Sequence, residues 1–125
     1  MRMKQLLSAK LHGGVVTGCD LHYEGSCALG PDLRAAAGIL PLEKVSVLNV
    51  ATGSRLETYV IASEKNGEIA LNGAAARGAS VGDKIIILTY AVLTDEDIRT
   101  HKARVVILNE KNQVVATRDE QPVSR

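Results

Sequence analysis

The 125-residue sequence contains no phenylalanine and no tryptophan, and its aromatic content is three tyrosines, Tyr23, Tyr59 and Tyr90. Any core must therefore be aliphatic, and ring platforms for stacking nucleic-acid bases are excluded. Excess charge of either sign is also missing. Fifteen Lys and Arg stand against 14 Asp and Glu, so no basic field exists to neutralise a phosphate backbone. Only two cysteines occur, Cys19 and Cys27, too few for a disulfide framework and not in a C-x-x-C arrangement. Reduced thiols in a cytoplasmic protein are the expectation that follows. No run approaches the roughly 18 apolar residues of a membrane span. The segment Met1 to Leu7 is basic and then apolar, but it stops short of the about 7–15 apolar residues of a secretion signal. These absences predict a soluble, cytoplasmic protein that engages neither membrane nor nucleic acid.

Strand signals dominate what is present. Val45, Val47 and Val50 make a short β-rich run, closed by the turn residues Thr52-Gly53-Ser54. Residues 55–63 follow, then Lys65-Asn66-Gly67, whose Asn-Gly step predicts a hairpin with residues 68–71 as the returning arm. An apolar, β-branched run from Ile85 to Leu93 comes after the turn Gly82-Asp83 and predicts a buried strand. Residues 104–108 and 113–117 flank Asn109-Glu110-Lys111-Asn112 as a second hairpin. Helix is scarce. Pro31 to Ala37 has a proline start and a stop at Gly38. Thr94 with Asp97 three residues on opens a short helix to about Lys102, and Asn72 to Ala79 forms a single helical turn. Many short strands with closely spaced turns predict a small barrel. With no linker and no internal repeat, residues 1–125 form one domain, and the polar stretch 118–125 is expected to be loose.

Chemistry-bearing residues cluster toward the N-terminal half. On a strand, Lys10 and His12 share a face. His12 and His22 with Cys19 and Cys27 form a conceivable zinc set, although their spacing matches no standard ligand pattern. Gly25-Ser26 carries little information alone, because Gly53-Ser54 repeats the dipeptide in an ordinary turn. Its surroundings supply the specificity. Taken singly, Arg55 reads as a surface cation, Tyr59 as a core aromatic, Asn72 as a turn residue and Ala74-Ala75-Ala76 as helix packing.

Together these blocks carry a resemblance. Lys10-Leu11-His12, Tyr23-Glu24-Gly25-Ser26-Cys27, Arg55-x-x-Thr58-Tyr59 and Asn72-Gly73-Ala74-Ala75-Ala76 occur in one order and spacing, with Ala36-Ala37-Gly38-Ile39 and Gly82-Asp83 in register. In this the chain is similar to the aspartate 1-decarboxylase family, over about residues 4–100 and less clearly beyond. Gly13 and Gly14 depart from the pattern, which has larger or basic residues there, so an effect on local strand geometry is expected.

The resemblance implies a mainly β fold, a six-stranded double-psi β-barrel with a few short helices, assembled as a homotetramer with sites at subunit interfaces. It implies cleavage between Gly25 and Ser26 into pieces 1–25 and 26–125, with Ser26 becoming a pyruvoyl group that forms a Schiff base with the substrate. No metal and no pyridoxal phosphate are expected, and a helper protein for maturation is left open. The implied reaction takes L-aspartate to β-alanine and carbon dioxide, supplying pantothenate and coenzyme A synthesis. Thr58 is implied to assist cleavage and to touch substrate, and Tyr59 to donate the proton that replaces the carboxylate. A phenol suits that task, since its reference pKa of about 10 keeps it protonated at neutral pH. Substrate contacts are implied for Lys10, Arg55, Thr58, Asn72, Gly73, Ala74 and Ala75, with Arg55 suited to bidentate carboxylate binding.

The residues add their own logic. Ser26 Oγ can reach the Gly25 carbonyl through a five-membered ring, and glycine at 25 would permit backbone conformations closed to other residues. Arg55 and Tyr59 share a strand face while Thr58 points the other way, so one site using all three needs a bulge or a second subunit. Two other readings compete: a non-catalytic barrel that binds a small anion through Lys10 and Arg55, and a zinc-dependent hydrolase.

Overall fold

The computed structural model describes residues 1–123. Nine strands carry the chain: β1 (Met3–Val15), β2 (Gly18–Asp20), β3 (Ser26–Leu29), β4 (Lys44–Asn49), β5 (Arg55–Ala62), β6 (Ile69–Asn72), β7 (Lys84–Thr94), β8 (Ala103–Leu108) and β9 (Val114–Glu120). Helix is confined to α1 (Pro31–Ala37), α2 (Asp95–Ile98) and a 3-10 turn at Gly73–Gly78. The mainly β expectation is met. The strands outnumber the expected six because segments as short as the three-residue β2 also pair, as does the exposed β9. Their order is β2-β6-β3-β5-β4-β7-β1-β8-β9, an open series.

Aliphatic alternation builds the core, as the lack of large aromatics requires. Val45 and Val47 on β4, Ile85 and Ile87 on β7, and Leu11 on β1 alternate with outward residues and are buried together with Leu29, Val60, Ile69, Leu71 and Val106. Each such side chain contributes about 1.5–3 kcal/mol on leaving water. Helix α1 covers one opening by burying Leu33 and Ala37. Among the described residues, two buried side-chain atoms make no hydrogen bond, His12 Nδ1 and Thr89 Oγ1, and Thr89 is 1% exposed. Replacing that hydroxyl with a methyl removes a desolvated, unpaired group. Thr89→Val is therefore expected to stabilise the fold by about 1 kcal/mol, read as a higher urea midpoint. An unchanged or lower midpoint would show that the hydroxyl has a partner in the assembled protein.

The paired glycines on β1 have a structural use. The register against β7 shifts between His12 and Gly14, and Gly13 sits at φ 88°, as a β-bulge requires. A Cβ on Gly14 would lie 2.9 Å from Ile69 Cδ1 and 3.0 Å from Leu108 Cδ1, so a side chain there would require those two side-chain tips to shift.

Three local expectations need correction. The Asn66-Gly67 turn joins β5 to β6, but these strands do not pair, because β3 lies between them, parallel to β5 and antiparallel to β6. The turn is held by distant groups: Gly67 N donates to Asp32 Oδ1 at 2.9 Å, and Asn112 Nδ2 donates to Gly67 O at 2.8 Å. Residues 118–120 belong to β9 and pair with residues 103–105, so this part of the stretch expected to be loose is strand, while residues 124–125 lie outside the described residues. Thr94 does cap α2, its Oγ1 accepting from Asp97 N at 3.1 Å, but the helix ends at Ile98 rather than near Lys102. β4, β5, β6, β7, the β8–β9 hairpin, α1 and the 73–78 turn fall where the sequence placed them, whereas β1, β2 and β3 carried no strand assignment of their own.

Candidate active site

Ser26 opens β3, directly after the exposed segment 20–25. That segment is shaped by Asp20, whose Oδ1 accepts from His22 N at 3.1 Å and whose carbonyl accepts from Tyr23 N at 3.4 Å. The chain then dives inward, and Ser26 is only 1% exposed. Its hydroxyl is held on two sides. Asn72 Nδ2 donates to Ser26 Oγ at 3.1 Å, and Ser26 Oγ donates to Glu24 O at 3.3 Å. Antiparallel pairing sets Ser26 directly opposite Asn72, so both side chains leave the same face, and Asn72 is itself 8% exposed.

Parallel pairing with β5 places the next groups. Cys27 pairs with Val60, and both point into the core. Strand alternation then turns Ser26 and Tyr59 to the opposite face. Gly25 and Thr58 each lie two residues before the Cys27–Val60 pair, at which the pairing of the two strands begins. Thr58 is half-buried on the core side, whereas Arg55, Glu57 and Tyr59 line the exposed face of β5. The opposed orientation of Thr58 and Tyr59 therefore stands, without a bulge.

Burial separates the two adjacent nucleophiles. The Cys27 thiol is fully enclosed, and desolvation pushes its pKa up to about 12, so it stays protonated. The Ser26 hydroxyl, by contrast, is buried among hydrogen-bonding groups.

The candidate cations lie on the same outer face. Across the sheet, Arg55 is opposite Leu48, Leu48 opposite Ile86, and Ile86 opposite His12; one row along, Ser46, Leu88 and Lys10 align in the same way. Lys10 on β1 is four strand steps from Ser26 on β3 in the sheet order, and Arg55 is four residues before Tyr59 on β5. The sheet curls, because the Gly14 end of β1 lies against Ile69 on β6, so these steps are not a separation in space. One chain brings together Ser26, Asn72 and Gly73, with Thr58 and Tyr59 on the neighbouring strand β5. His12, beside Lys10, has its pKa lowered by burial and then by the charges of Lys10, Lys84 and Arg118, which favours a neutral ring near pH 7.

Gly73 to Ala75 continue directly from Asn72 into the 3-10 turn, with Gly73 and Ala75 buried and Ala74 exposed. Gly25 does not need its conformational freedom as expected. Its φ is not in the left-handed region, and an added Cβ would meet only Asn72 O at 4.0 Å. The demanding glycine is Gly73, at φ 61°, a constraint that single-strand reasoning had no means to find.

A zinc site loses its ligand set. Cys19 is exposed on β2, Cys27 is in the core, and among the described residues no group of three or more His, Cys, Asp and Glu is placed to hold a metal ion. No helix among the described residues is long and apolar enough to cross a membrane.

Comparison with known proteins bears on this arrangement. The family model described as aspartate decarboxylase matches residues 1–115. Aspartate 1-decarboxylase of Cupriavidus taiwanensis is 52% identical over 110 residues, covering 87% of this chain and 92% of the relative. The Ruminiclostridium cellulolyticum protein of that name is 51% identical over 110 residues, covering 87% and 86%. That of Bacillus licheniformis is 44% identical over 120 residues, covering 95% and 94%.

Proposed function

The chain belongs to the aspartate decarboxylase family, and from that premise we propose that it converts L-aspartate to β-alanine and carbon dioxide using a pyruvoyl group made from its own Ser26. The single observation that carries the second half is the buried Ser26 hydroxyl, fixed by Asn72 at 3.1 Å and directly following the exposed segment 20–25. In the cleavage, Ser26 Oγ bonds to the Gly25 carbonyl carbon, the Gly25–Ser26 C–N bond breaks, and the hydroxyl proton ends on the freed nitrogen, giving an ester. Loss of the Ser26 α-proton with departure of Gly25 as a carboxylate leaves a dehydroalanine. Water then replaces nitrogen, which leaves as ammonia, and a ketone remains. Thr58, which precedes the Cys27–Val60 pair by two residues as Gly25 does, is the residue we assign to polarising the Gly25 carbonyl.

The residues around Ser26 suit such a group: the Asn72 amide is a donor already directed at this residue, as a carbonyl there would require. The pyruvoyl group supplies a ketone that binds the substrate amine and takes up the charge left when carbon dioxide departs. Tyr59, on the face that Ser26 shares, is assigned the return of a proton to the α-carbon. The backbone amides of Gly73, Ala74 and Ala75 and the Asn72 side chain are donors for substrate oxygen, with small side chains leaving them reachable. Thr58 is included among the substrate contacts. Lys10 and Arg55 are assigned to the two carboxylates. Sites at subunit interfaces in a homotetramer are assigned on the family's pattern.

The test is product formation. Purified protein is expected to release β-alanine from L-aspartate, and to use L-glutamate about 10–200-fold less well, because one methylene in a pocket discriminates by no more than that. Absence of turnover with aspartate would leave a non-catalytic barrel.

A further inference from the structure

We propose that Gly73 is a positioning residue for chain cleavage, its missing side chain letting the segment Tyr23–Gly25 rest against it in the geometry from which Ser26 attacks Gly25. The inference rests on the self-processing reading above. It starts from a close approach. A Cβ built on Gly73 would lie 2.7 Å from Gly25 Cα, 2.7 Å from Gly25 N and 2.7 Å from Tyr23 O, whereas ordinary contact is 3.4–4 Å. All three are backbone atoms and cannot swing aside as the tip of a side chain can. Gly73 also holds φ 61°, where an L side chain is strained.

The consequence follows from what Gly73 adjoins. The preceding residue, Asn72, holds the nucleophile through Nδ2 to Ser26 Oγ at 3.1 Å. Gly73 touches the residue that carries the electrophilic carbonyl. Two consecutive residues thus fix the two reacting partners against each other, the nucleophile by a hydrogen bond and the electrophile by close contact. Attack needs the reacting atoms about 3–3.5 Å apart and aligned, and a misplacement of about 1 Å costs on the order of 10²-fold in rate. A methyl at position 73 must push the Tyr23–Gly25 backbone away while leaving Ser26 on its strand. The segment 21–25 is exposed, so it can yield without disturbing the core.

The experiment follows cleavage by intact mass after synthesis of the wild-type chain, Gly73→Ala and Gly38→Ala. Gly38 is the strain control: it sits at φ 70° with nothing within 4 Å of an added Cβ. Expected are cleavage of wild type and Gly38→Ala at the same rate, and cleavage of Gly73→Ala slowed by on the order of 10²-fold. Brief hydroxylamine treatment, which cuts esters and spares amides, should release less of fragment 1–25 from Gly73→Ala than from wild type during the time course. That places the defect before the ester forms, and circular dichroism of the same variant separates it from a general loss of packing. Gly73→Ala cleaving at the wild-type rate overturns the inference alone. Loss of the native circular dichroism when Gly73→Ala is placed in a Ser26→Ala background also overturns it, because Gly73 would then serve the fold. A wild-type chain that stays whole overturns the self-processing reading and this inference with it.

Discussion

Ser26→Ala is expected to remain a single chain of residues 1–125 with no decarboxylation of aspartate above background. Alanine keeps the strand and removes the one oxygen that can bond to the Gly25 carbonyl. The neighbouring thiol offers no bypass: Cys27 faces the core, with its pKa raised to about 12 by burial. The fold should survive the change. Asn72 Nδ2 loses its acceptor in a site where both residues are nearly inaccessible, which costs about 1–3 kcal/mol. That is a small part of what the aliphatic core contributes. The variant therefore separates chemistry from folding, with intact mass, circular dichroism and product formation read on one sample. A Ser26→Ala protein that produced β-alanine would remove Ser26 from the mechanism.

Tyr59→Phe carries the second large effect and splits cleavage from turnover. The ring stays on the outer face of β5, where Tyr59 is 37% exposed, so packing changes little and stability should move by less than about 0.5 kcal/mol. Only the phenolic proton is lost. Chain cleavage should proceed as in wild type, since it is assigned to Ser26, Thr58 and the Asn72–Gly73 corner. Turnover should fall by about 10²–10⁴-fold, the usual contribution of a positioned proton donor, with the effect in kcat rather than KM. Tyr59→Phe retaining wild-type kcat would assign the proton to another group. An uncleaved Tyr59→Phe chain would move Tyr59 into processing.

The candidate site was legible through the family resemblance, and strand geometry added the facing of its parts. Alternation alone placed Lys10 with His12, and Arg55 with Tyr59 and against Thr58, and the structure keeps those facings. Legibility failed where a long-range contact decides the local outcome. Asn66-Gly67 has the composition of a hairpin turn, yet its backbone is held by Asp32 and Asn112, from 35 and 45 residues away. β3 then occupies the place that the returning arm would take. The two glycines near the cleavage point show the same limit. Proximity in sequence drew attention to Gly25, but steric need is set by what approaches in space, and that falls on Gly73. The bulge at Gly13 likewise depends on the β1–β7 register, which no local pattern encodes.

The most direct test is the intact mass of the purified wild-type protein. The account predicts two species: residues 1–25 ending in a free carboxylate, and residues 26–125 lighter by one ammonia than the same sequence with an N-terminal serine. A single species at the full-chain mass, or a larger fragment that retains its serine nitrogen, would contradict it.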